Sequence, residues 1–141
     1  MQSSTTVVVL SIRPEYVARI LAATKQVEFR RQPLPAHVTH AVVYATMPVG
    51  RLVATFTIAG QVTAPPSRLW AQYQQVAGIE QERFDTYYQG RRQGTAILIK
   101  DLVSLPAPVP LSAVGLSHAP QSWRYLPDPA AHRQLLGLPA G

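Results

Sequence analysis

A short stretch near the N-terminus brings together four side chains that can do chemistry: Lys25, Glu28, Arg30 and Arg31. Only 14% of the residues in this chain are charged, so this local density is unusual. Val27 and Phe29 alternate with the charges and are expected to be buried, because side chains of a strand point alternately to its two faces. Charges beside buried positions favour the mouth of a pocket over a solvated face. We therefore expect a pocket for a polar, partly anionic ligand.

The lysine and the glutamate of this stretch each have more than one possible role. Lys25 suits a phosphate clamp, a catalytic amine if its pKa is lowered, or an ordinary exposed lysine. Glu28 suits a general base, or the ion-pair partner of Lys25 or Arg30. In a regular strand, the odd separation of Lys25 and Glu28 places them on opposite faces, so only a bend at Thr24 and Lys25 would let them meet. Arg30 shares a face with Glu28, which makes an ion pair between them the alternative to a joint catalytic site.

Further candidates flank this stretch along the chain. Arg13 and Arg31 can hold phosphate oxygens with their forked donors, or they can simply be solvent-exposed side chains at the rim of the pocket. Tyr44 and Thr46 lie at the end of a predicted strand beside a turn, which is a common place for a pocket wall. The alternative for Tyr44 is burial in the core.

A last group of candidates follows Pro120. The amide of Gln121 and the indole of Trp123 can read and stack on a base, with Ser122 between them. A buried Trp123 that completes the barrel is the alternative.

Other residue patterns indicate packing rather than chemistry. Aromatic side chains at helical spacing are assigned mainly to the core: Trp70, Tyr73, Phe84, Tyr87 and Tyr88. The four histidines show no metal-ligand spacing beyond one pair three residues apart, so we expect neither a metal site nor a cofactor.

Composition narrows the class of protein and its partners. The 141 residues suit one compact domain, and a net charge of +6 attracts a polyanion such as RNA, with DNA as an alternative. The cations are mostly single arginines spread along the chain, so any nucleic-acid surface must be built by the fold. Cysteine is absent, and no apolar run approaches the roughly 18 residues that span a bilayer. We expect a soluble, cytoplasmic protein with no membrane partner.

Several elements must position these candidates. Residues 7–12 are β-branched and predict a buried strand, which is followed by a helix that begins near Pro14. Ser67 is expected to cap a second helix. The remaining predicted elements are strands at 26–31, 41–45, 51–62, 95–100, 102–105 and 122–126, a helix at 80–89 and a proline-rich connector at 106–110.

Short strands interrupted by helices must wrap around a common core. The sequence therefore predicts an α+β domain, a twisted and partly closed β-barrel of about six strands flanked by short helices. We place this domain at residues 1–126 and a tail, with a short docked helix, at residues 127–141.

The order and spacing of several blocks resemble a known family. The run 24–30 is similar to the signature Gly-x-Lys-x-x-Glu-x-Arg of the ASCH group of the PUA-like superfamily, with Ala23 in place of the signature glycine. The matching blocks begin with Ser11 and its neighbours and cover most of the chain up to about Leu126, namely residues 11–16, 43–50, 69–70, 78–79, 84–88, 90 and 119–126. More narrowly, the chain resembles small ASCH proteins described as predicted transcriptional regulators.

The resemblance implies a fold and a set of functions. It implies a twisted barrel with the signature lining a cleft, and binding of RNA or a nucleotide-like ligand, with a regulatory role. One ASCH branch removes an acyl group from acetylcytidine and another has been described as a ribonuclease, so an amidohydrolase or a ribonuclease is the alternative. The acetylcytidine branch carries a threonine at the position of Glu28. The ligand-binding set that we expect is Ser11, Arg13, Lys25, Glu28, Arg30, Arg31, Tyr44, Thr46, Gln121, Ser122 and Trp123, with Lys25 and Glu28 catalytic if the protein is an enzyme.

Overall fold

The computed structural model describes residues 5–139, and the predicted boundaries at residues 1 and 141 lie outside this part of the chain. Within it, six strands form one sheet: β1 (Val7–Ile12), β2 (Val27–Arg30), β3 (His40–Ala45), β4 (Arg51–Ala64), β5 (Gly94–Val109) and β6 (Trp123–Tyr125). Three α-helices accompany the sheet in this part: α1 (Pro14–Leu21), α2 (Pro66–Tyr73) and α3 (Gln81–Tyr87). Short 3-10 helices lie at Gln74–Val76, Leu111–Val114 and Pro129–His132.

The strands are ordered β2-β5-β4-β3-β1-β6 and curve into a half-barrel, which confirms the predicted α+β fold. β1 and β3 are parallel, and the other neighbouring strands are antiparallel. Val8 and Leu10 of β1 pack into one buried cluster while Val7 and Val9 pack into another, so both faces of this strand are covered. An apolar, β-branched sequence without polar alternation suits such a strand.

β5 is longer than the sequence analysis predicts. It runs without interruption from Gly94 to Val109, bends at Asp101 with a φ of 49°, and includes Pro106 and Pro108 of the predicted connector. The pairing with β4 shifts register between the Ser104 and Val109 pairs, so the two prolines lie in an irregular stretch. Proline is tolerated there because no regular ladder N–H is needed.

α2 begins two residues earlier than predicted. Pro66 occupies its first turn and Pro65 is the N-cap residue, so Ser67 lies inside the helix and caps nothing. Proline fits the first helical position because its missing N–H has no partner there in any helix. None of the helices in residues 5–139 is both long enough and apolar enough to cross a membrane.

The residues that follow Leu126 pack onto the sheet. Leu136 and Leu138 are buried in the cluster that also holds Val7 and Val9 of β1. The hydroxyl of Thr55 donates a hydrogen bond of 2.8 Å to the carbonyl of Leu136. This segment therefore covers one face of the half-barrel.

A third apolar cluster joins β2 to α2 and α3. Phe29 of β2 packs against Phe84 of α3 with ring centroids 4.9 Å apart and against Tyr88 at 6.4 Å. Leu69 of α2 is fully buried in the same cluster. These contacts fix α3 beside β2, at the place where the charged stretch of the sequence lies.

Candidate functional site

The turn between α1 and β2 sets the position of Lys25. Ala23 adopts a φ of +64°, and the backbone N–H groups of Thr24 and Lys25 both donate to the carbonyl of Arg19 at 3.1 Å. This is a left-handed helix end, for which glycine is the usual residue. Alanine in this conformation costs about 1 to 2 kcal/mol. The turn forms even though the signature glycine is replaced, and β2 begins only at Val27.

Lys25 is buried, with 3% of its surface exposed, so its reading as an ordinary exposed lysine is wrong. Its Nζ donates a 2.7 Å hydrogen bond to the carbonyl of Ala77 and lies 5.4 Å from the ring centroid of Tyr16 and 5.3 Å from that of Phe29. Burial lowers the pKa of the Lys25 amine, and the charge of Glu28 partly offsets this effect. Such an amine exchanges a proton more readily near neutral pH than an exposed lysine does.

Glu28 contacts both of the partners that the sequence analysis considered. Its Oε2 accepts a hydrogen bond from Arg30 Nε at 3.0 Å and forms an ion pair with Nη2 of the same guanidinium at 2.9 Å. Its Oε1 lies 3.9 Å from Lys25 Nζ. The bend before β2 thus brings Lys25 and Glu28 together, although a regular strand would have separated them. Among residues 5–139, Oε1 accepts no hydrogen bond, so this oxygen can accept a proton or a ligand hydrogen.

Arg30 also connects distant parts of the sheet. Its Nη1 donates to the hydroxyl of Ser122 at 3.0 Å, and its Nη2 donates to the carbonyl of Ser11 at 2.9 Å. The hydroxyl of Ser11 in turn donates to the carbonyl of Pro120 at 2.6 Å. β2 lies at one edge of the sheet and Ser122 directly precedes β6 at the other, so one guanidinium bridges the two edges.

These side chains surround a cavity of about 740 Å³ between β2, α1, α3 and the segment before β6. Nine of the predicted ligand-binding residues line it: Ser11, Arg13, Lys25, Glu28, Arg30, Arg31, Thr46, Gln121 and Ser122. The volume falls within the usual range for small-molecule sites and accommodates a nucleotide.

Two of the predicted residues do not line this cavity. Tyr44 is 6% exposed and packs with Val42 in the cluster on the other face of the sheet, because the two residues have the same parity along β3. Trp123 packs against the cluster that includes Leu10, with which it pairs between β6 and β1. For both residues the structure favours the core alternative.

Sequence reasoning missed one wall of the cavity, which α1 and α3 contribute. The residues of this wall are Tyr16, Glu82, Arg83, Phe84, Thr86 and Tyr87. Three other lining residues were also missed: Ile12, Phe29 and Ile79. Tyr87, which helical spacing assigned to the core, lies beneath the guanidinium of Arg31 at 4.7 Å from its ring centroid. The only signal for this wall was the cluster of aromatic residues at 84–88, and periodicity alone cannot show which face of a short helix borders a cavity.

Ion pairs at the rim tie the two helices of this wall together. Arg83 of α3 is 3.0 Å from Glu15 of α1, and Arg19 of α1 is 2.9 Å from Glu80. The partner arginines lower the pKa values of both carboxyl groups. The guanidinium groups of Arg19 and Arg83 also lie over Tyr16, at 5.5 and 5.6 Å from the ring centroid.

The charge of the cavity wall is positive. Five cationic side chains, those of Arg13, Lys25, Arg30, Arg31 and Arg83, face two carboxylates, those of Glu28 and Glu82. Within the described part of the chain, neither Arg13 nor Arg31 forms an ion pair. No group of three or more His, Cys, Asp or Glu side chains within residues 5–139 is arranged to hold a metal ion.

Comparison with known proteins identifies the family. No protein-family model matches the sequence. A curated protein of Zymomonas mobilis, named ASCH domain-containing ribonuclease, is 33% identical over 94 residues, which are 66% of this chain and 64% of that protein. The crystal structure of ASCH from Zymomonas mobilis superposes with a TM-score of 0.80 at 27% identity, covering 91% of this chain and 92% of that one.

The chain is an ASCH-domain protein. A crystal structure of a variant of the same Zymomonas protein, with one tyrosine replaced by phenylalanine, gives the same TM-score of 0.80 and covers 95% of that chain. The sequence match to the curated ribonuclease spans about two thirds of this chain, whereas the structural match spans nearly all of it. In this ASCH domain, Glu28 contacts both Lys25 and Arg30, and the three side chains line the cavity.

Proposed function

We propose that this ASCH domain binds single-stranded RNA in the cavity and cleaves its backbone. The observation that carries the proposal is the position of Glu28, a buried carboxylate between Lys25 and Arg30 on a wall with an excess of cations. The relative from Zymomonas mobilis that is named a ribonuclease supports the same substrate class. A single strand is favoured because its bases can leave the stack and enter a pocket with aromatic walls such as Tyr16 and Tyr87.

The arrangement supplies the groups that RNA cleavage requires. The Oε1 atom of Glu28 accepts the proton of a ribose 2′-hydroxyl, and the resulting oxyanion attacks the adjacent phosphorus. The bond from phosphorus to the 5′-oxygen breaks, and a 2′,3′-cyclic phosphate remains. The leaving oxygen takes a proton from water, and the hydroxide that forms takes up the proton held by Glu28. Lys25 and Arg30 stabilise the negative charge that grows on the phosphate oxygens.

A single substitution separates cleavage from binding. Glu28→Gln keeps the shape of the side chain and can still accept the hydrogen bond from Arg30 Nε, but it cannot act as a base. With an end-labelled single-stranded RNA, we expect the wild type to yield cyclic-phosphate ends and the variant to be slower by about 10²-fold to 10⁴-fold. Filter binding should show that the variant retains the RNA.

The matched control is a DNA strand of the same sequence, which lacks the 2′-hydroxyl and should survive intact. Cleavage of that DNA would contradict the mechanism. If the wild type neither cleaves nor binds the RNA at low salt, the proposed function fails.

A second candidate is an amidohydrolase that acts on an acylated nucleoside. It is favoured by the buried amine of Lys25, whose pKa is lowered and which lies 3.9 Å from a carboxylate. Acetylcytidine incubated with the protein would then yield cytidine, and Glu28→Gln would abolish the reaction. If a panel of acylated and methylated nucleosides remains intact while one of them raises the melting temperature, the cavity binds modified bases and the protein is a reader with a regulatory role.

A cytoplasmic location, in which cellular RNA is accessible, is part of this proposal. The absence of cysteine motivates it.

A further inference from the structure

A second depression, with a volume of about 810 Å³, adjoins the cavity. It lies between the end of β2, the end of β4 and the start of β5, and we name it the arginine groove. Its lining consists of Arg31, Gln32, Pro33, Thr63, Pro65, Arg91, Arg92 and Gln93. Arg31 lines both the cavity and the groove, so the two depressions are continuous at this residue.

The charge of the arginine groove is uncompensated. Three of its eight lining residues are arginines and none is acidic. In the described part of the chain, no ion pair involves Arg31, Arg91 or Arg92. By contrast, Arg19, Lys25, Arg30 and Arg83 each have a carboxylate partner. Unpaired arginines along one depression attract an anion with more than one charged group.

The groove is held in place at the boundary with the cavity. Arg31 Nη2 donates to the carbonyl of Tyr87 at 3.2 Å, and the same guanidinium lies over the ring of Tyr87. After α3, Gly90 turns the chain with a φ of 78°, and the N–H of Arg91 donates to the carbonyl of Tyr88 at 2.9 Å. These contacts place the arginines that follow α3 on the same side as Arg31.

A ligand of one nucleotide fits within the cavity and would leave the groove unused. We propose that the arginine groove binds the phosphates of the nucleotides that flank the one in the cavity, so that the ligand is a strand several nucleotides long. The inference rests on the proposed RNA binding and adds the path of the strand. The forked donors of Arg91 and Arg92 suit phosphate oxygens, and the amides of Gln32 and Gln93 suit sugar and phosphate oxygens.

The test compares a long ligand with a short one. The long probe is a fluorescent single strand of about ten nucleotides, a length within the usual range for single-strand sites. The short probe is a dinucleotide, and both carry 2′-fluoro sugars so that no 2′-hydroxyl attack occurs. The groove variant is Arg91→Gln/Arg92→Gln. The control variant is Arg124→Gln/Arg133→Gln, which removes the same charge from exposed arginines that line neither depression.

The readout is the ratio of the affinity for the long probe to that for the dinucleotide, measured by anisotropy at several salt concentrations. We expect this ratio to fall about tenfold in the groove variant, and the slope of log affinity against log salt to become shallower by about 1.4, from about 0.7 for each lost phosphate contact. The control variant should keep both values. All four substituted positions are on the surface, and equal melting temperatures verify that the variants fold.

Three results would overturn the proposal. If both variants lose the same affinity, the effect is one of net charge. If the groove variant binds the long probe as the wild type does, the groove plays no part, while RNA binding in the cavity stands. If the wild type binds neither probe at low salt, the proposed function fails together with this inference.

Discussion

The backbone of Gly78 lies against the side chain of Lys25. A Cβ atom added to Gly78 would collide with Cβ of Lys25, would approach its Cγ to 2.6 Å and its Cα to 2.9 Å, and would sit on a backbone with a φ of +61°. The neighbouring carbonyl of Ala77 accepts the hydrogen bond of the Lys25 amine. One short segment between α2 and α3 therefore fixes both the stem and the head of the lysine.

Gly78→Ala should displace Lys25 and weaken both stability and RNA cleavage. Overpacking and a positive φ together should lower the free energy of unfolding by about 2 to 4 kcal/mol. Gly90→Ala is the matched control, because Gly90 has a φ of +78° with no atom near its added Cβ. It should show only the backbone cost, about 1 to 2 kcal/mol, with cleavage retained. Urea denaturation and a cleavage assay measure the two effects, and equal results for the two variants would contradict the contact.

Substitutions of Lys25 should separate its chemical role from its packing. Lys25→Met fills similar space, so its free energy of unfolding should change by less than about 1.5 kcal/mol, whereas Lys25→Ala should lose about 2 to 4 kcal/mol because it leaves a cavity. Both variants should lose RNA cleavage. Urea denaturation curves with single-turnover cleavage rates test this. Retained cleavage in Lys25→Met would show that the amine is not used.

Arg30→Lys should destabilise the protein although it conserves the charge. Lysine cannot bond Glu28, Ser11 and Ser122 together, so the buried carboxylate of Glu28 loses the hydrogen bond from Arg30 Nε and keeps Lys25 at 3.9 Å, which should cost about 1 to 3 kcal/mol. Arg83→Lys is the control, because the pair of Arg83 with Glu15 lies at the exposed rim and should contribute much less. Thermal unfolding measures the loss of stability in both variants, and we expect the larger loss in Arg30→Lys. A loss of similar size in each variant would mean that the buried Arg30–Glu28 pair contributes no more to stability than the exposed Arg83–Glu15 pair.

His40 should make stability fall at mildly acidic pH. Burial lowers its pKa below the ordinary 6.5, so the folded state binds this proton less readily than the unfolded state does. Its contribution is fully present above about pH 6.5 and is lost as the pH falls toward the lowered pKa of the folded state. The melting temperature should fall between pH 7 and a pH just above 5, and this fall should be smaller in His40→Gln than in the wild type. An equal drop would assign the effect to other groups, and staying above pH 5 avoids the titration of Glu15 and Glu80.

The sequence predicted β1 and α1 well because their patterns are local: a β-branched run for β1 and a proline before an apolar stripe for α1. It could not predict that Lys25 meets Glu28, since that contact depends on Ala23 adopting a φ that alanine disfavours. The position of Tyr87 on the cavity wall was not predicted for a different reason. Which face of a short helix borders a cavity is decided by its packing against other elements, here the contact of Phe84 with Phe29.

The same limit applies to strands. The continuation of β5 through Pro106 depends on a register shift against β4, which exists only in the folded sheet. Prediction from local sequence therefore placed the end of β5 too early, at residue 105 instead of Val109. Tyr44 shows the converse, because its parity along β3 already pointed toward the core that holds it.

The bridge that Arg30 makes between the two edges of the sheet has a dynamic consequence. In the described part of the chain, no backbone ladder joins β2 to β1 or β6, so this side of the half-barrel is closed by side-chain contacts alone. Such a closure can open locally while the ladders of β3 and β4 stay intact, so amide hydrogens near Ser11 and Ser122 would exchange by local opening and those of β3 only on global unfolding. A phosphate that binds Arg30 would compete with Ser11 and Ser122 for the guanidinium. Ligand binding and local opening of the half-barrel at this side would therefore be coupled.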